Sequence, residues 1–277
     1  MGKALSIIGV IAVILIAGIA IWAYTVPAAT TAILYVESGA VEVNLGPAWS
    51  PAQDEMVLSQ GNKVRTGEGK AAVVLLSGEV IHLEPNTEIT LREVQPLGIR
   101  IRQAAGETWN KVTRISGIST YEVETPTTVA TVRGTEFFVG MNAVTVGEGE
   151  VEAGFTERPS KKLVLRTLRK ATFTPGEELT DEQVLDDPRL QEFREIYTRH
   201  LQRIRKHELN KHETLLKIAK TRYGVTDAQI DRFLEDLDEG RRDADKIYEQ
   251  VPGPFKRKLE RVYLLTKEIQ RAHEMLG

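Results

Sequence analysis

The run His207-Glu208-Leu209-Asn210-Lys211-His212 brings two imidazoles and a carboxylate together, the ingredients of a zinc site with a general base. A helix would have to carry the two histidines at i and i+4 to bring them onto one ion. Here they stand at i and i+5, about 140° apart around a helix. His200 shares a face with His207 but lies two turns away, too far for a single ion. A solvated or polar-core stretch that interrupts an apolar stripe is the better account, so no metal is expected. Arg133-Gly134-Thr135-Glu136 sets a charged pair around a glycine between two strand-like runs. One arginine without converging donors makes no anion pocket, so a bulge or tight arc with Arg133 and Glu136 paired, or bonded to loop carbonyls, is expected. Replacing Gly134 by valine should then unfold the domain, with loss of native circular dichroism. From Arg194 to Arg222, nine Lys/Arg face three Glu. This basic helix face is expected to be compensated by the acidic stretch Asp227–Glu249, the alternative being a patch for anionic lipid or wall polymer. Trp49 and Trp109 read as core plugs sooner than carbohydrate platforms. No Ser/His/Asp arrangement, paired-carboxylate motif or phosphate-cradling glycine loop occurs, and with no cysteine there is no thiol nucleophile. The protein is therefore expected not to be an enzyme and to need no cofactor.

The elements that must position these residues fall into three zones. Over the 277 residues the net charge is −3, and the mean hydropathy of −0.22 conceals a very uneven chain. A near-neutral balance argues against a nucleic-acid partner. Ala4 to Tyr24 is 21 residues without a charge, long enough to span about 30 Å of bilayer. Residues 1–26 are thus expected to form a transmembrane signal-anchor helix, a cleaved signal or pilin-like leader being the alternatives. Lys3 ahead of the stretch, with no charge after it until Glu37, would place the later domains outside the cytoplasm as a single-pass protein of the cytoplasmic membrane.

Residues 33–176 are strand-like throughout. Segments such as Ile33–Glu37, Ala71–Leu76, Glu88–Glu93, Tyr121–Thr125 and Glu150–Phe155 alternate at period two, or run apolar and β-branched. Fifteen of the 22 glycines fall between Gly39 and Gly176 and punctuate turns. With no helical pattern between strands, an all-β sandwich, barrel or solenoid is expected.

Residues 178–277 hold 21 acidic and 20 basic side chains and read as helical. Thr180–Gln183 and Thr226–Gln229 both match the capping box, and Asp187-Pro188 can start a helix. A helix of about 35 residues and two of about 23 are expected to pair as a bundle or coiled-coil hairpin, because none is stable alone. These helices are the expected surface for a protein partner or for self-assembly.

The β zone resembles the FecR-like domain found in exported and membrane-anchored proteins. The resemblance is carried by Leu58-Ser-Gln-Gly61-Asn-Lys-Val64-Arg-Thr66-Gly67, the turn at Gly78, and Ile81-His-Leu83-Glu-Pro85-Asn86-Thr87. Its most specific stretch is Thr125-Pro126-Thr-Thr-Val-Ala130-Thr-Val-Arg133-Gly134-Thr135-Glu136-Phe137-Phe-Val139, and Val144 to Val151, with Gly149, closes it. Asn62 and Ser77 stand where the family usually has Asp; both are turn formers. The resemblance implies a solenoid-like all-β domain in which Gly61, Thr66, Gly67, Gly78, Pro85, Asn86, Pro126, Arg133, Gly134, Thr135, Phe137 and Gly149 are structural. It also implies a context in which a membrane protein controls a sigma factor through a cytoplasmic segment. Only Met1–Lys3 precede the apolar stretch, so that segment is expected to be missing. The expected function is a membrane-anchored binding or scaffold protein of the cell envelope. The alternatives are a FecR-type regulator acting through a partner and a protein that binds cell-wall polymer or glycan.

Overall fold

The computed structural model describes residues 32–276, apart from 76–77, 96, 114–119, 159, 185–187, 214–215, 218–219 and 222–223. Its described strands, numbered in chain order, form two sheets of nine. Sheet A runs β4 (Met56–Leu58), β1 (Ala32–Ser38), β6 (Lys70–Leu75), β7 (Val80–Leu83), β10 (Thr108–Lys111), β13 (Glu136–Val139), β14 (Ala143–Glu148), β17 (Arg169–Thr172), β18 (Asp181–Gln183). Sheet B runs β3 (Trp49–Pro51), β2 (Val41–Asn44), β5 (Lys63–Thr66), β8 (Glu88–Gln95), β9 (Gly98–Ala105), β11 (Thr120–Glu124), β12 (Thr128–Val132), β15 (Glu150–Phe155), β16 (Lys162–Arg166). Past the first hairpins, both sheets grow in chain order from one end to the other. Neighbours are antiparallel except β9 and β11, which pair in parallel with Gly98 opposite Thr120 and Arg102 opposite Glu124.

The inner faces share one apolar core. Leu34, Val73, Ile81, Phe137 and Val146 of sheet A meet Val43, Val64, Ile89, Ile101 and Val151 of sheet B. A closed polar chain crosses this core. The Tyr121 hydroxyl donates to Asn110 Oδ1 (2.7 Å), Asn110 Nδ2 to Thr108 Oγ1 (2.9 Å), Thr108 Oγ1 to Gln103 Oε1 (2.8 Å), and Gln103 Nε2 to the Val139 carbonyl (3.0 Å). Buried polar groups in such a chain are tolerable because each finds a partner.

Four described helices follow: α1 (Pro188–Asn210), α2 (Asp227–Asp238), α3 (Ala244–Glu249) and α4 (Gly253–Glu274). The capping box at Thr226 forms, with Thr226 Oγ1 accepting from the Gln229 amide and Gln229 Oε1 accepting from the Thr226 amide. Thr180–Gln183 does not start a helix: Asp181–Gln183 is β18, whose register on β17 is held by an Arg169–Asp181 ion pair. The first of the two expected helices of about 23 residues is broken in two rather than continuous. Gly240 takes φ +68°, Arg241 and Arg242 turn back onto Asp236, and Asp243 caps α3 by accepting from the amides of Asp245 and Lys246. The long first helix likewise stops at Asn210, in the polar stretch between His207 and His212.

The fold class expected from the sequence therefore needs correction. No helix among the described residues is long and apolar enough to cross a membrane; the described architecture is two β-sheets with four helices, and the expected transmembrane helix is not among them. Residues 1–26, which carry that expectation, lie outside the described residues. Nor do the terminal helices stand apart as a coiled-coil hairpin. Their apolar stripes are satisfied by the sheet: Tyr197, Leu201 and Ile204 of α1 and Leu265, Ile269 and Ala272 of α4 share a cluster with Tyr35, Ala72, Val74 and Val80.

Candidate functional site

Among the described residues, a gathering of chemistry-bearing side chains lies between sheet A and the helices. Residues of sheet A at alternate positions point away from the sandwich core, among them Tyr35 on β1, His82 on β7, Trp109 and Lys111 on β10, and Glu136 and Phe138 on β13. All are buried. Trp109 stacks on Phe193 of α1 with centroids 5.5 Å apart and tilts against Phe138 at 5.0 Å. The Arg189 guanidinium caps this trio, 4.6 Å from the Phe138 centroid. Phe193 of α1 thus packs in a small aromatic cluster with two rings of sheet A, beside the larger apolar cluster that joins α1 and α4 to the sheet.

Beside the rings runs an ionic seam. Glu136 has no exposure, yet its carboxylate accepts from Arg194 of α1 (3.2 Å) and from Lys111 (3.4 Å). Lys111 also donates to Glu148 at 2.7 Å and lies 5.6 Å from the Tyr197 ring centroid. Arg271 of α4 closes on the same Glu148. Burial raises the Glu148 carboxyl, but Lys111, Arg271 and Arg194 outweigh it and leave the group below its ordinary value. Burial raises the Tyr197 hydroxyl well above its ordinary value, and its bond to Glu268 (3.3 Å) adds to this. One anion on β13 and one on β14 thus hold one cation from each of the two long helices. A charge so enclosed is costly unless paired, which makes the seam a specific register for the helices rather than a general adhesive.

Further along α1, His200 Nε2 lies 2.9 Å from Glu37 Oε1 under the Tyr35 ring, and Arg203 stacks over that ring. Lys70 bridges Glu84 and Glu192 of α1 at 3.2 and 2.7 Å. The basic face of α1 is compensated from two sides. Sheet A supplies Glu37 and Glu136, while α2 supplies Asp238, whose Oδ2 takes Arg205 at 2.7 Å, and Asp231, 3.9 Å from Lys206.

The residues singled out from the sequence lie mostly elsewhere, along the arcs that join the sheets. Gly61, Gly78, Gly134 and Gly149 have positive φ, as does Asn86 at 57°. Thr66 Oγ1 donates to the Glu84 carbonyl (2.7 Å) and accepts from the Thr87 amide (2.9 Å), and the Asn86 amide donates to the Gly67 carbonyl (2.7 Å). Thr135 Oγ1 donates to the Glu150 carbonyl (2.8 Å). Phe137 is core, edge-on to Tyr121. Pro126 and Arg133 are exposed, and Pro85 is half-buried. Glu136 is the exception. It was expected to pair with Arg133 or loop carbonyls, and it instead crosses to Lys111 and Arg194. His207 is exposed while His200 is buried, so the structure does not gather the histidines, and no group of metal-binding side chains occurs among the described residues. Trp109 is sealed under α1, and Trp49 lies beneath Arg65 at 4.3 Å.

Sequence reasoning missed Lys111, His82, Glu37 and Glu148 as partners of the helices. One signal existed. Ala71–Leu75 is apolar at both parities, as is most of Val80–Leu83, the mark of a strand buried on both faces.

The fold and site define a two-sheet β-sandwich with a helical cover ion-paired to one sheet. Residues 62–152 match the family described as FecR protein, and this chain carries a FecR-like domain. That span reaches from the turn before β5 into β15 and contains Glu136, Lys111 and Glu148. Two crystal structures of a candidate anti-sigma factor from Parabacteroides distasonis are similar. One is 19% identical with a TM-score of 0.41, covering 48% of this chain and 64% of that one; the other is 21% identical with a TM-score of 0.38, covering 43% and 58%. The chain spans less than two thirds of the length of either. Among the curated proteins none matches the sequence.

Proposed function

We propose that the protein is a FecR-type regulator or scaffold that acts by binding another protein, not by catalysis. The observation that carries this reading is the position of Glu136. It lies inside the FecR-like span, is fully buried, and is used to seat Arg194 of α1. The charged groups of the site serve to hold a helical cover in one register on a β platform. Such a cover presents a defined surface to a partner, here the exposed sides of α2, α3 and α4.

Site-specific photo-cross-linking of the full chain in cells tests this reading. A photoreactive residue at Phe255, exposed at the start of α4, is expected to capture a discrete protein or a second copy of the chain. Val164, exposed on sheet B, serves as the comparison site. Absence of a protein adduct at Phe255, or capture of the same proteins in equal yield at Phe255 and Val164, overturns the reading.

A further inference from the structure

We propose that α1 is an acid-released latch: protonation of His82 and His200, both closed beneath it, unseats the helix from sheet A. This goes beyond the binding reading and does not depend on it. Both rings are 1% exposed and lie on the two sides of one contact, His82 on β7 and His200 on α1. Neither ring nitrogen of His82 hydrogen-bonds a described group. The nearest carboxylate oxygen, Glu84 Oε1, is 3.8 Å away and belongs to a side chain already shared with Lys70. The Phe193 ring of α1 closes the other side, with centroids 6.5 Å apart.

The charges around the pair come from every element packed there: Glu37 from β1, Lys70 from β6, Glu84 beyond β7, and Glu192, Arg199 and Arg203 from α1. Lys70 consumes Glu84 and Glu192, so a proton on His82 would create a second cation beside Lys70 in a dry seam. His200 has one anion, Glu37, set against two arginines of its own helix.

Burial, and then the Lys70 charge, hold His82 at about 4, against 6.5 for an ordinary histidine. Burial also lowers His200, in spite of Glu37. A docked helix therefore excludes protons that an undocked one accepts. Docking is at full strength above about pH 6.5 and weakens as the pH falls toward 4. At pH 5 the His82 difference alone shifts the equilibrium about 30-fold toward release. Glu37 and Glu192, held below their ordinary value by His200 and Lys70, add to the release only at pH below about 4.5.

Hydrogen exchange of the full chain at pH 7 and pH 5, corrected for intrinsic rates, tests the latch. Amides of α1 are expected to lose about 30-fold of protection at pH 5 relative to those of β12 in sheet B. His82→Phe, which keeps a ring in the seam, should remove most of that loss. Equal behaviour of α1 and β12 at both pH values, or an undiminished loss in His82→Phe, overturns the proposal. Should that variant not fold, titration of the imidazoles of the unmodified chain by NMR decides. A neutral His82 at pH 5 supports the latch, and a His82 that titrates near 6.5 with α1 still seated refutes it.

Discussion

The outer face of sheet A is closed by α1 and α4, whereas that of sheet B meets solvent. Both faces carry charge, in opposite regimes. On sheet A, Lys111 and Glu136 are almost wholly buried and each has more than one partner. On sheet B the charges form exposed cross-strand ladders, such as Arg100 with Glu122, Arg102 with Glu124, and Lys162 with Glu152. Ladders of this kind keep a sheet soluble and contribute little else, because water screens them. The same alternation of side chains therefore means two things. Where a helix lies above, a charged position specifies register; where water lies above, it specifies only which face is outside.

The largest expected effect breaks the frame that both faces share. Gly106 has φ +77°, and a Cβ there would lie 2.3 Å from Thr87 Oγ1 and 2.4 Å from Thr87 Cα. Gly106→Val should cost more than about 4 kcal/mol and leave little cooperative unfolding in a denaturant titration. Trp109→Ala, which empties the aromatic trio, should cost about 3–5 kcal/mol by the same measurement while leaving strand circular dichroism in place. Lys111→Met follows, at about 3 kcal/mol, because Glu136 and Glu148 lose a shared cation in a buried seam. Its counterpart on the open face, Lys162→Met, should cost less than about 1 kcal/mol. Equal losses for the two lysines would erase the distinction between the faces. Acid gives a smaller and graded effect. Glu148 is held below its ordinary value in the folded protein, so its contribution is present above pH 4.5 and is lost as the pH falls through the folded value. Unfolding midpoints should therefore fall more steeply between pH 4.5 and 3 in the parent protein than in Glu148→Gln.

Much of the sandwich was legible from residue order alone. Strands such as Val41–Asn44, Glu88–Gln95 and Gly98–Ala105 alternate because only their core side must be apolar. Short edge strands escaped notice. Asp181–Gln183 looked like a helix start because a capping box and a polar edge strand draw on the same residues, and only the ladder to β17 separates them. Glu136 was visible as a charged residue in a motif, but its partners are 25 and 58 positions away in the chain, beyond any local pattern. The buried histidines were hidden for the same reason. Nothing about His82 or His200 differs from exposed His207 until α1 is laid on sheet A.

By itself, then, the sequence determined the all-β zone, the charged helices after it, the turn glycines and the absence of a thiol, since these depend on local backbone preference and composition. The tertiary structure decided which strand faces are dry, which ions pair and where the helices rest. Desolvation is set by what packs above a residue, and neither spacing nor composition records that.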